Sequence, residues 1–453
     1  MALGGGTWQF QNKILPGTYI NFVSKYRAEA AIADRGYATM ALPFDWGPED
    51  TVFPVTNEEF QENSMKYFGY DYAADELKGL RDLFINAKMV YFYRLANSPV
   101  KAANTLATAK YGGVRGNAFS VEVASNVDEP TKSDVITYVL LDGVQTAVDK
   151  QKALSTWADV KDNDYVVWKD HSETALKATA ATPLTGGSNG QAVTSKQYQD
   201  YIDAVSPYYF NVMGYPGTDK EVIGLLKNFV KRMRDDEGAK FQLVVYGDDT
   251  ADYEGIISIM NKVKDSGESP ASLVYWLTGA EASCAINASL TNAEYVGEYT
   301  VDTAYSQLDL KRAIQTGRLV FHGVQENLSG ELVGKVKVLT DVNTYTSFTK
   351  KKTKDFALNQ VIRVLDQLAI DLANLFNKTY LGKEQNNPEG QKALWSDAVT
   401  LHKEYQRVSA IQNFKSEDIP IPTRGTAKTS VLYSETVQPT CCMEKLYCAV
   451  VVA

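Results

Sequence analysis

The chain ends on Met443-Glu-Lys-Leu-Tyr-Cys-Ala-Val-Val-Val-Ala453, a run with the composition and spacing of a β-strand. Successive side chains of a strand point to opposite faces. One face would carry Leu446, Cys448, Val450 and Val452, and the other Tyr447, Ala449, Val451 and Ala453. Because both faces are apolar, we expect the strand to be covered on both sides, in its own domain or in another subunit's sheet. The pattern alone favours pairing within the chain, since most terminal strands are tied down there.

The length and composition of the chain indicate a globular protein of several domains. Its 453 residues suffice for about two to four domains. The net charge of -9 argues against a nucleic-acid partner, which would favour a basic protein. No apolar run approaches the roughly 20 residues that cross a bilayer, so we expect no direct membrane insertion. The four cysteines lack the spacing of a disulfide framework, which favours synthesis in a reducing compartment.

Helix and strand patterns alternate on both sides of a central stretch with a different composition. Thr56-Asn-Glu-Glu59 has the spacing of a helix capping box. Met89–Leu95 has the continuous apolar pattern of a buried strand. Between about residues 101 and 193 short strand patterns replace the helical ones, and Asp142-Gly143 is a hairpin turn signal. We interpret this central stretch as an inserted β-rich domain.

The later segments contain the strongest helix patterns. Asn359–Asn377 carries an apolar stripe at helical spacing, and Gln391–Val408 carries a second one. A capping box is expected at Thr218-Asp-Lys-Glu221, ahead of another amphipathic helix. Strands are expected at Ile419–Ile421 and Thr429–Val437, before the terminal strand.

The polar clusters do not form a catalytic or metal-binding pattern. Gly112–Asn117 and Gly186–Gly190 lack the Lys-Ser/Thr of a phosphate loop, and tight turns explain them better. The acidic run Asp159–Asp164 lacks the glycine and the closing glutamate of a calcium loop. The three histidines are dispersed without metal-ligand spacing, and no serine lies in a nucleophile elbow. We therefore expect no cofactor, no bound metal and no enzymatic activity.

Two further clusters receive structural interpretations. The charged run Arg232–Glu237 favours a solvated helix end or an intersubunit salt bridge over paired catalytic carboxylates. Cys441 and Cys442 are adjacent, and Cys448 follows closely. We expect these cysteines to act as small apolar side chains that are buried or half-buried. Binding of a soft metal ion is the alternative.

Eight short motifs, spread over most of the chain, resemble one known family in their number, order and spacing. They are Leu15–Phe22, Lys110–Asn117, Leu184–Gly190, Lys231–Gly238, Asp341–Thr344, Asn359–Asp366, Ala410–Phe414 and Met443–Tyr447. Through them the chain resembles the contractile tail sheath family of phages and phage-tail-like particles, especially the type found in Gram-positive hosts. Thr440-Cys441-Cys442 departs from the pattern, which favours small polar or acidic residues before Met443.

The resemblance implies a fold that completes the interpretation given above. It implies an α/β (α+β) core domain built from N- and C-terminal portions, a β-rich inserted domain that faces outward, and extended N- and C-terminal arms. The predicted segments are an N-terminal arm at 1–15, core portions at 16–97 and 194–335, the insertion at 98–193, a tube-facing C-terminal core domain at 336–438, and a C-terminal arm at 439–453.

The resemblance also implies how copies of the chain assemble. Stacked six-fold rings would surround a tail tube, and both chain ends would pair as strands in neighbouring sheets. The residues expected in this intersubunit pairing are Leu446, Tyr447, Val450, Val451 and Val452, with Phe10 and Ile14 in the N-terminal arm. This arrangement reverses the preference for pairing within the chain. Contraction of the sheath would drive the tube into a target envelope.

The implied partners are other copies of the chain, the tail tube protein, and the baseplate and tail terminator proteins. The implied location is a virion or phage-tail-like particle that is assembled in the host bacterial cytoplasm. The Gln391–Val408 helix is expected to contact the tube, because it is basic within an acidic protein. Its candidate contact residues are Lys392, His402, Lys403 and Arg407.

Two other functions remain open on the sequence. The first is a nucleotide-dependent α/β enzyme, against which the missing phosphate-binding motifs argue. The second is a different structural component, a tail tube or baseplate subunit. Tube proteins are usually much shorter than this chain, and an alternating α/β core does not suit them.

Overall fold

The computed structural model of the chain describes residues 32–328 and 331–452. These residues divide into two units, one formed by 34–367 with 439–452, the other by 32–33 with 368–438. The predicted arm at 1–15, with Phe10 and Ile14, lies outside the described residues. Within the described residues, no helix is both long enough and apolar enough to span a bilayer.

The larger unit is built on a seven-stranded, mainly parallel sheet. Its strands are Tyr37–Leu42 (β1), Val52–Thr56 (β2), Met89–Arg94 (β3), Val212–Gly214 (β10), Gln242–Tyr246 (β11), Ile256–Ile259 (β12) and Arg318–Leu319 (β13). They lie in the order β13-β12-β11-β10-β1-β3-β2. Only β2 runs antiparallel to its neighbour, with Val52 opposite Tyr93. Parallel strands joined through helices are typical of an α/β core.

Helices cover both faces of this sheet. They are Asn57–Phe68 (α1), Lys78–Phe84 (α2), Ser195–Val205 (α3), Lys220–Asp235 (α4), Leu273–Ser283 (α5) and Gln307–Gln315 (α6). Val244 packs in a core with residues of α2 and α5, whereas its neighbours Leu243 and Val245 pack in a second core with residues of α3 and α4. This alternation follows from the two-residue repeat of a strand, so β11 is buried on both faces.

The insertion after β3 forms its own β-rich domain. Its strands are Ala107–Ala109 (β4), Phe119–Ser125 (β5), Ser133–Leu141 (β6), Val144–Leu154 (β7), Val166–Trp168 (β8) and Thr179–Pro183 (β9). β7, β6, β5 and β9 form one antiparallel sheet, and β4 pairs with β8. The expected hairpin at Asp142-Gly143 is confirmed, because both residues have positive φ (48° and 79°) between Leu141 and Val144.

The remaining elements include a hairpin and the two long C-terminal helices. Phe321–Leu328 (β14) pairs with Glu331–Val338 (β15), and the later elements are Asn359–Leu375 (α7), Pro388–Arg407 (α8), Thr423–Arg424 (β16) and Val431–Leu432 (β17). The unit boundary at residues 367 and 368 falls inside α7. In the smaller unit, Leu375, Tyr380 and Leu394 form an apolar cluster.

The fold class predicted from the sequence is confirmed in the described residues, with local corrections. α4 is capped by Asp219, whose carboxylate accepts from the backbone N–H of Glu221 (2.8 Å), so the capping box expected at Thr218 is wrong. The strand expected at Ile419–Ile421 does not form in the described chain. Pro420 and Pro422 explain this, because proline has no N–H to donate to a sheet. Of Thr429–Val437, only β17 is a strand.

Candidate assembly surfaces

Residues 445–452 of the C-terminal arm form a largely apolar segment that no described part of the chain covers. Leu446, Tyr447 and Val450 are 92%, 90% and 81% exposed, and Val451 and Val452 are exposed to a similar degree. Residues 443–452 form no strand and make no backbone hydrogen bond to another described residue. The strand pattern is therefore present in the sequence without a partner inside the described chain, and pairing with another subunit stays a prediction.

The base of this arm is held against the larger unit. The backbone N–H of Cys442 donates to Oε1 of Gln360 in the first turn of α7 (2.9 Å). The hydroxyl of Thr291 donates to Oε1 of Glu444 (2.7 Å). The Cys442 thiol lies 3.8 Å from the carbonyl oxygen of Asn287. The arm thus leaves the body of the protein after Glu444.

A buried ionic cluster lies beneath this attachment. The guanidinium of Arg363 lies 2.6 Å from Glu281 and 3.2 Å from Asp341, and all three side chains are almost fully buried. Asn359 donates to Oδ1 of Asp341 (2.7 Å), and the backbone N–H of Leu290 donates to its Oδ2 (3.0 Å). Buried charges require this kind of pairing, because an unpaired ion in the interior costs several kcal/mol.

The two acids of this cluster have opposite pKa shifts. Burial and the negative charge of Asp341 raise the pKa of Glu281 to about 8. Burial alone would raise the pKa of Asp341, but the Arg363 charge and the hydrogen bonds to its carboxylate hold that pKa below its usual value. The cluster is therefore neutral when Glu281 carries a proton and Arg363 is paired with ionised Asp341.

The sequence carries a signal for this cluster. Asn359, Arg363 and Asp366 recur at four- and three-residue spacing along the helix that also carries the apolar stripe. Polar residues in phase with an apolar stripe are buried and need partners. No role was predicted for Glu281 or Arg363, because spacing along the sequence does not identify partners that are distant in the chain.

Asp366 forms a second buried ion pair, with Arg234 at the end of α4. Two nitrogen atoms of the guanidinium lie 2.6 and 2.8 Å from the two carboxylate oxygens. Arg234 is buried, so the solvated-face interpretation of the Arg232–Glu237 cluster is wrong for this residue. Arg232, by contrast, is half exposed and lies 3.4 Å from Glu237.

The helix predicted to contact a tube presents three basic residues to solvent. Lys392, Lys403 and Arg407 of α8 are exposed. At about 100° per residue they fall within an arc of roughly 60°. Nε of Arg407 donates to Glu404 (2.8 Å), one turn back on the same helix. Among the described residues, neither lysine has a carboxylate within ion-pair distance.

His402 was expected on the same surface, and this expectation is wrong. Its side chain is fully buried, stacks on Phe414, and Nδ1 donates to the carbonyl oxygen of Ala398 (2.8 Å). Nε2 lies 3.1 Å from the Glu435 carboxylate. Helical spacing accounts for this position, because Ala398 and Tyr405 mark the buried face of α8, and His402 lies four and three residues from them.

The glycine-rich segments pack against each other inside the inserted domain. Asn117 donates to the carbonyl oxygen of Gly187 (2.9 Å) and accepts from the N–H of the same residue (2.8 Å). A Cβ at Gly187 would lie 2.5 Å from the carbonyl oxygen of Gly113. This close approach explains the requirement for glycine at position 187.

The acidic run builds a turn with its side chains. Oδ1 of Asp162 accepts from the N–H of Trp168, and Asn163 accepts from Tyr165 and Val166. In the part of the chain that the structure describes, no three His, Cys, Asp or Glu side chains lie close enough together to hold a metal ion. Cys441, Cys442 and Cys448 are exposed and form no disulfide among the described residues, so the interpretation of these thiols as buried or half-buried is wrong for the single chain.

Family models match the chain in four consecutive regions. They are the tail sheath protein Gp18 domain III N-terminal region at residues 35–95, the phage tail sheath protein beta-sandwich domain at 96–189, the phage tail sheath protein central domain at 191–331, and the phage tail sheath C-terminal domain at 351–453. The beta-sandwich match coincides with the β-rich insertion described above.

Individual proteins match over nearly the whole chain. The sheath tail protein of Desulfitobacterium hafniense is 33% identical, with a TM-score of 0.75 over 94% of this chain and 100% of that one. The phage-like element PBSX protein XkdK of Bacillus subtilis (strain 168) is 28% identical over 98% of this chain and 99% of its own. The contracted helical sheath of the anti-feeding prophage shares the fold alone, at 11% identity and a TM-score of 0.53 over 97% of this chain and 99% of that one. The chain therefore belongs to the phage tail sheath family, whose members are components of contractile phage tails and phage-tail-like particles.

Proposed function

We propose that this chain polymerises as stacked hexameric rings around a tail tube, and that the resulting sheath contracts to drive the tube through a cell envelope. The observation that carries the proposal is the exposed apolar arm at 446–452 in a chain of the sheath family. Exposed apolar strands of this length are aggregation hazards unless a specific partner covers them.

The arm supplies the link between subunits by adding a strand to a neighbour's sheet. Main-chain hydrogen bonds give such pairing its affinity, at a net ~0.5–1.5 kcal/mol for each bond. Leu446 and Val450 would lie on one face of the added strand, and Tyr447 and Val451 on the other. The N-terminal arm, through Phe10 and Ile14, acts in the same way.

One acceptor is suggested by the short sheet of β16 and β17. It consists of two strands of two residues each, and Leu432 is largely exposed. An isolated two-stranded sheet is marginally stable in water, whereas three or more strands are self-supporting. Strands from neighbouring subunits would complete this sheet. Because each contact joins two different surfaces, repetition generates a helical tube rather than a closed dimer.

Contraction requires subunit bodies that stay rigid and arms that let those bodies rotate relative to one another. The core of the larger unit is densely packed around its sheet, whereas the arm has no described contact beyond Glu444. Subunits can then rotate as bodies while the shared strands stay paired. The extended sheath is kinetically trapped, and the contracted packing has the lower free energy. No nucleotide or cofactor is required, and the role is mechanical rather than enzymatic.

The remaining partners follow from the same assembly. The basic face of α8, with Lys392, Lys403 and Arg407, contacts the tail tube, and the ends of the sheath meet baseplate and terminator proteins. The particle assembles in the cytoplasm of the host bacterium.

Negative-stain microscopy of the purified protein tests the proposal. Hollow tubes with a cogwheel cross-section and a bore wide enough to hold a tail tube are expected. A protein that remains monomeric at all concentrations contradicts the proposal. Closed rings without tubes would instead favour a baseplate component.

A further inference from the structure

The hydrogen bonds that attach the C-terminal arm to the body of the protein end at Glu444. The backbone N–H of Cys442 donates to Gln360 (2.9 Å), and the Glu444 carboxylate accepts from Thr291 (2.7 Å). From Lys445 to Val452, the chain makes no hydrogen bond and no ion pair with any other described residue. The pivot of the arm therefore lies at the Glu444–Lys445 peptide.

The two side chains that hold the base are themselves fixed. Gln360 is 4% exposed and lies in the first turn of α7. The hydroxyl of Thr291 accepts from the backbone N–H of Asp341 (3.0 Å), and the Asp341 carboxylate lies 3.2 Å from Arg363. A hydrogen bond to a partner that is already ordered loses little further conformational entropy, so both contacts are well placed to restrain the arm.

We infer that Gln360 and Thr291 form a two-point latch with Cys442 and Glu444, and that this latch fixes the direction in which the arm leaves its own subunit. The inference rests on the proposed function, because an exit direction matters only if the arm engages another subunit. Gln360 and Thr291 are positioning residues, since the contact with the neighbour belongs to the arm beyond them.

The latch acts through the effective concentration of the arm at the neighbour's sheet. Releasing the base would lengthen the free tether by several residues and widen the range of directions it samples. Both changes lower the effective concentration of the arm at the neighbour's sheet, so a higher protein concentration is needed for assembly. Folding of the body should be unaffected, because Glu444 is exposed and lies outside the core clusters of the described residues.

The experiment compares Glu444→Ala, Glu444→Gln and the neighbouring control Lys445→Ala. The critical concentration for tube formation is measured by sedimentation, and folding by the thermal midpoint of the monomer. Glu444→Ala should raise the critical concentration about three- to tenfold. Glu444→Gln should stay within about twofold of wild type, because its amide oxygen still accepts from Thr291. Lys445→Ala should match wild type, and all midpoints should agree within about 1 °C.

Three results overturn the latch: an unchanged critical concentration in Glu444→Ala, an equal increase in Lys445→Ala, or an equal increase in Glu444→Gln. Wild-type protein that never forms tubes would instead contradict the proposed function.

Hydrogen exchange of the monomer tests the latch without assembly. The Cys442 amide should be protected and the amides from Tyr447 to Val452 should exchange at intrinsic rates, whereas uniform fast exchange from residue 440 onward contradicts the latch.

Discussion

Strand β11 and the C-terminal arm have nearly the same sequence character and opposite environments. β11 is paired on both sides by β10 and β12, and its residues Leu243, Val244 and Val245 are fully buried. The arm residues Val450 and Val451 are more than 80% exposed and unpaired in the described chain. Apolar alternation therefore encodes the capacity to form a strand, whereas the location of a free sheet edge decides where that strand is buried.

The largest expected effect is a difference in stability loss when valine is replaced by aspartate in β11 and in the C-terminal arm. Val244→Asp places a carboxylate in the centre of the sheet, and we expect destabilisation by about 4 kcal/mol or more. Val450→Asp should change the free energy of unfolding by no more than about 0.5 kcal/mol, since the residue is exposed in the monomer. Urea unfolding of the two variants measures both values. Comparable losses of stability would show that the arm is part of the monomer's core.

The ionic cluster beneath the arm should make folding depend on pH. Because the pKa of Glu281 is raised to about 8, the folded state keeps a proton that the unfolded state releases above about pH 4.5. Stability from this group is complete below pH 4.5 and is lost as the pH rises towards 8. Glu281→Gln removes this titration, and its amide can accept from Arg363 and donate to Asp341, as the protonated acid does.

We therefore expect the stability of wild type to fall relative to Glu281→Gln between pH 5 and pH 9, by on the order of 4 kcal/mol. Arg363, Asp341 and Cys284 are common to both proteins, so the difference isolates Glu281. Unfolding curves at a series of pH values measure it. A difference that is constant with pH would mean that Glu281 is ionised throughout the range.

A smaller effect is expected for the exposed basic face of α8. The double variant Lys403→Glu/Arg407→Glu should weaken co-assembly with the tail tube about tenfold, with unchanged monomer stability. Lys152→Glu, an exposed basic residue in the inserted domain, serves as the control and should assemble normally. Co-sedimentation of sheath on preformed tubes provides the measurement. Intact co-assembly of the double variant would remove α8 from the tube interface.

Where local chemistry decides the structure, the sequence was sufficient to predict it. The capping box at Thr56 and Glu59 forms as expected, with the backbone N–H of Thr56 donating to Glu59 (2.8 Å). The stripe of α7 also predicts its helix, which ends at Leu375 and continues as a π-helical turn to Tyr380. Signals of this kind involve residues three or four positions apart.

Features that depend on distant residues could not be read in this way. The hairpin turn at Asp142-Gly143 implied a strand after it, but the length and register of β7 were not predicted, because its exposed polar residues lack apolar alternation and its register comes from pairing with β6. The partners of Arg363 lie 22 and 82 positions away in the sequence. The burial of His402, in contrast, was readable from the spacing of the apolar residues of α8, and basicity alone was a poor guide to its exposure.

Deletion of Met443–Ala453 tests whether the C-terminal arm links subunits without stabilising its own. We expect a soluble monomer with the thermal midpoint of wild type that forms no tubes at any concentration, because the deleted residues link subunits and do not stabilise their own fold. A same-length replacement of residues 446–453 by a Gly/Ser sequence should behave identically. Global unfolding of the truncated protein, or tubes formed without the arm, would contradict a role of the arm in linking subunits.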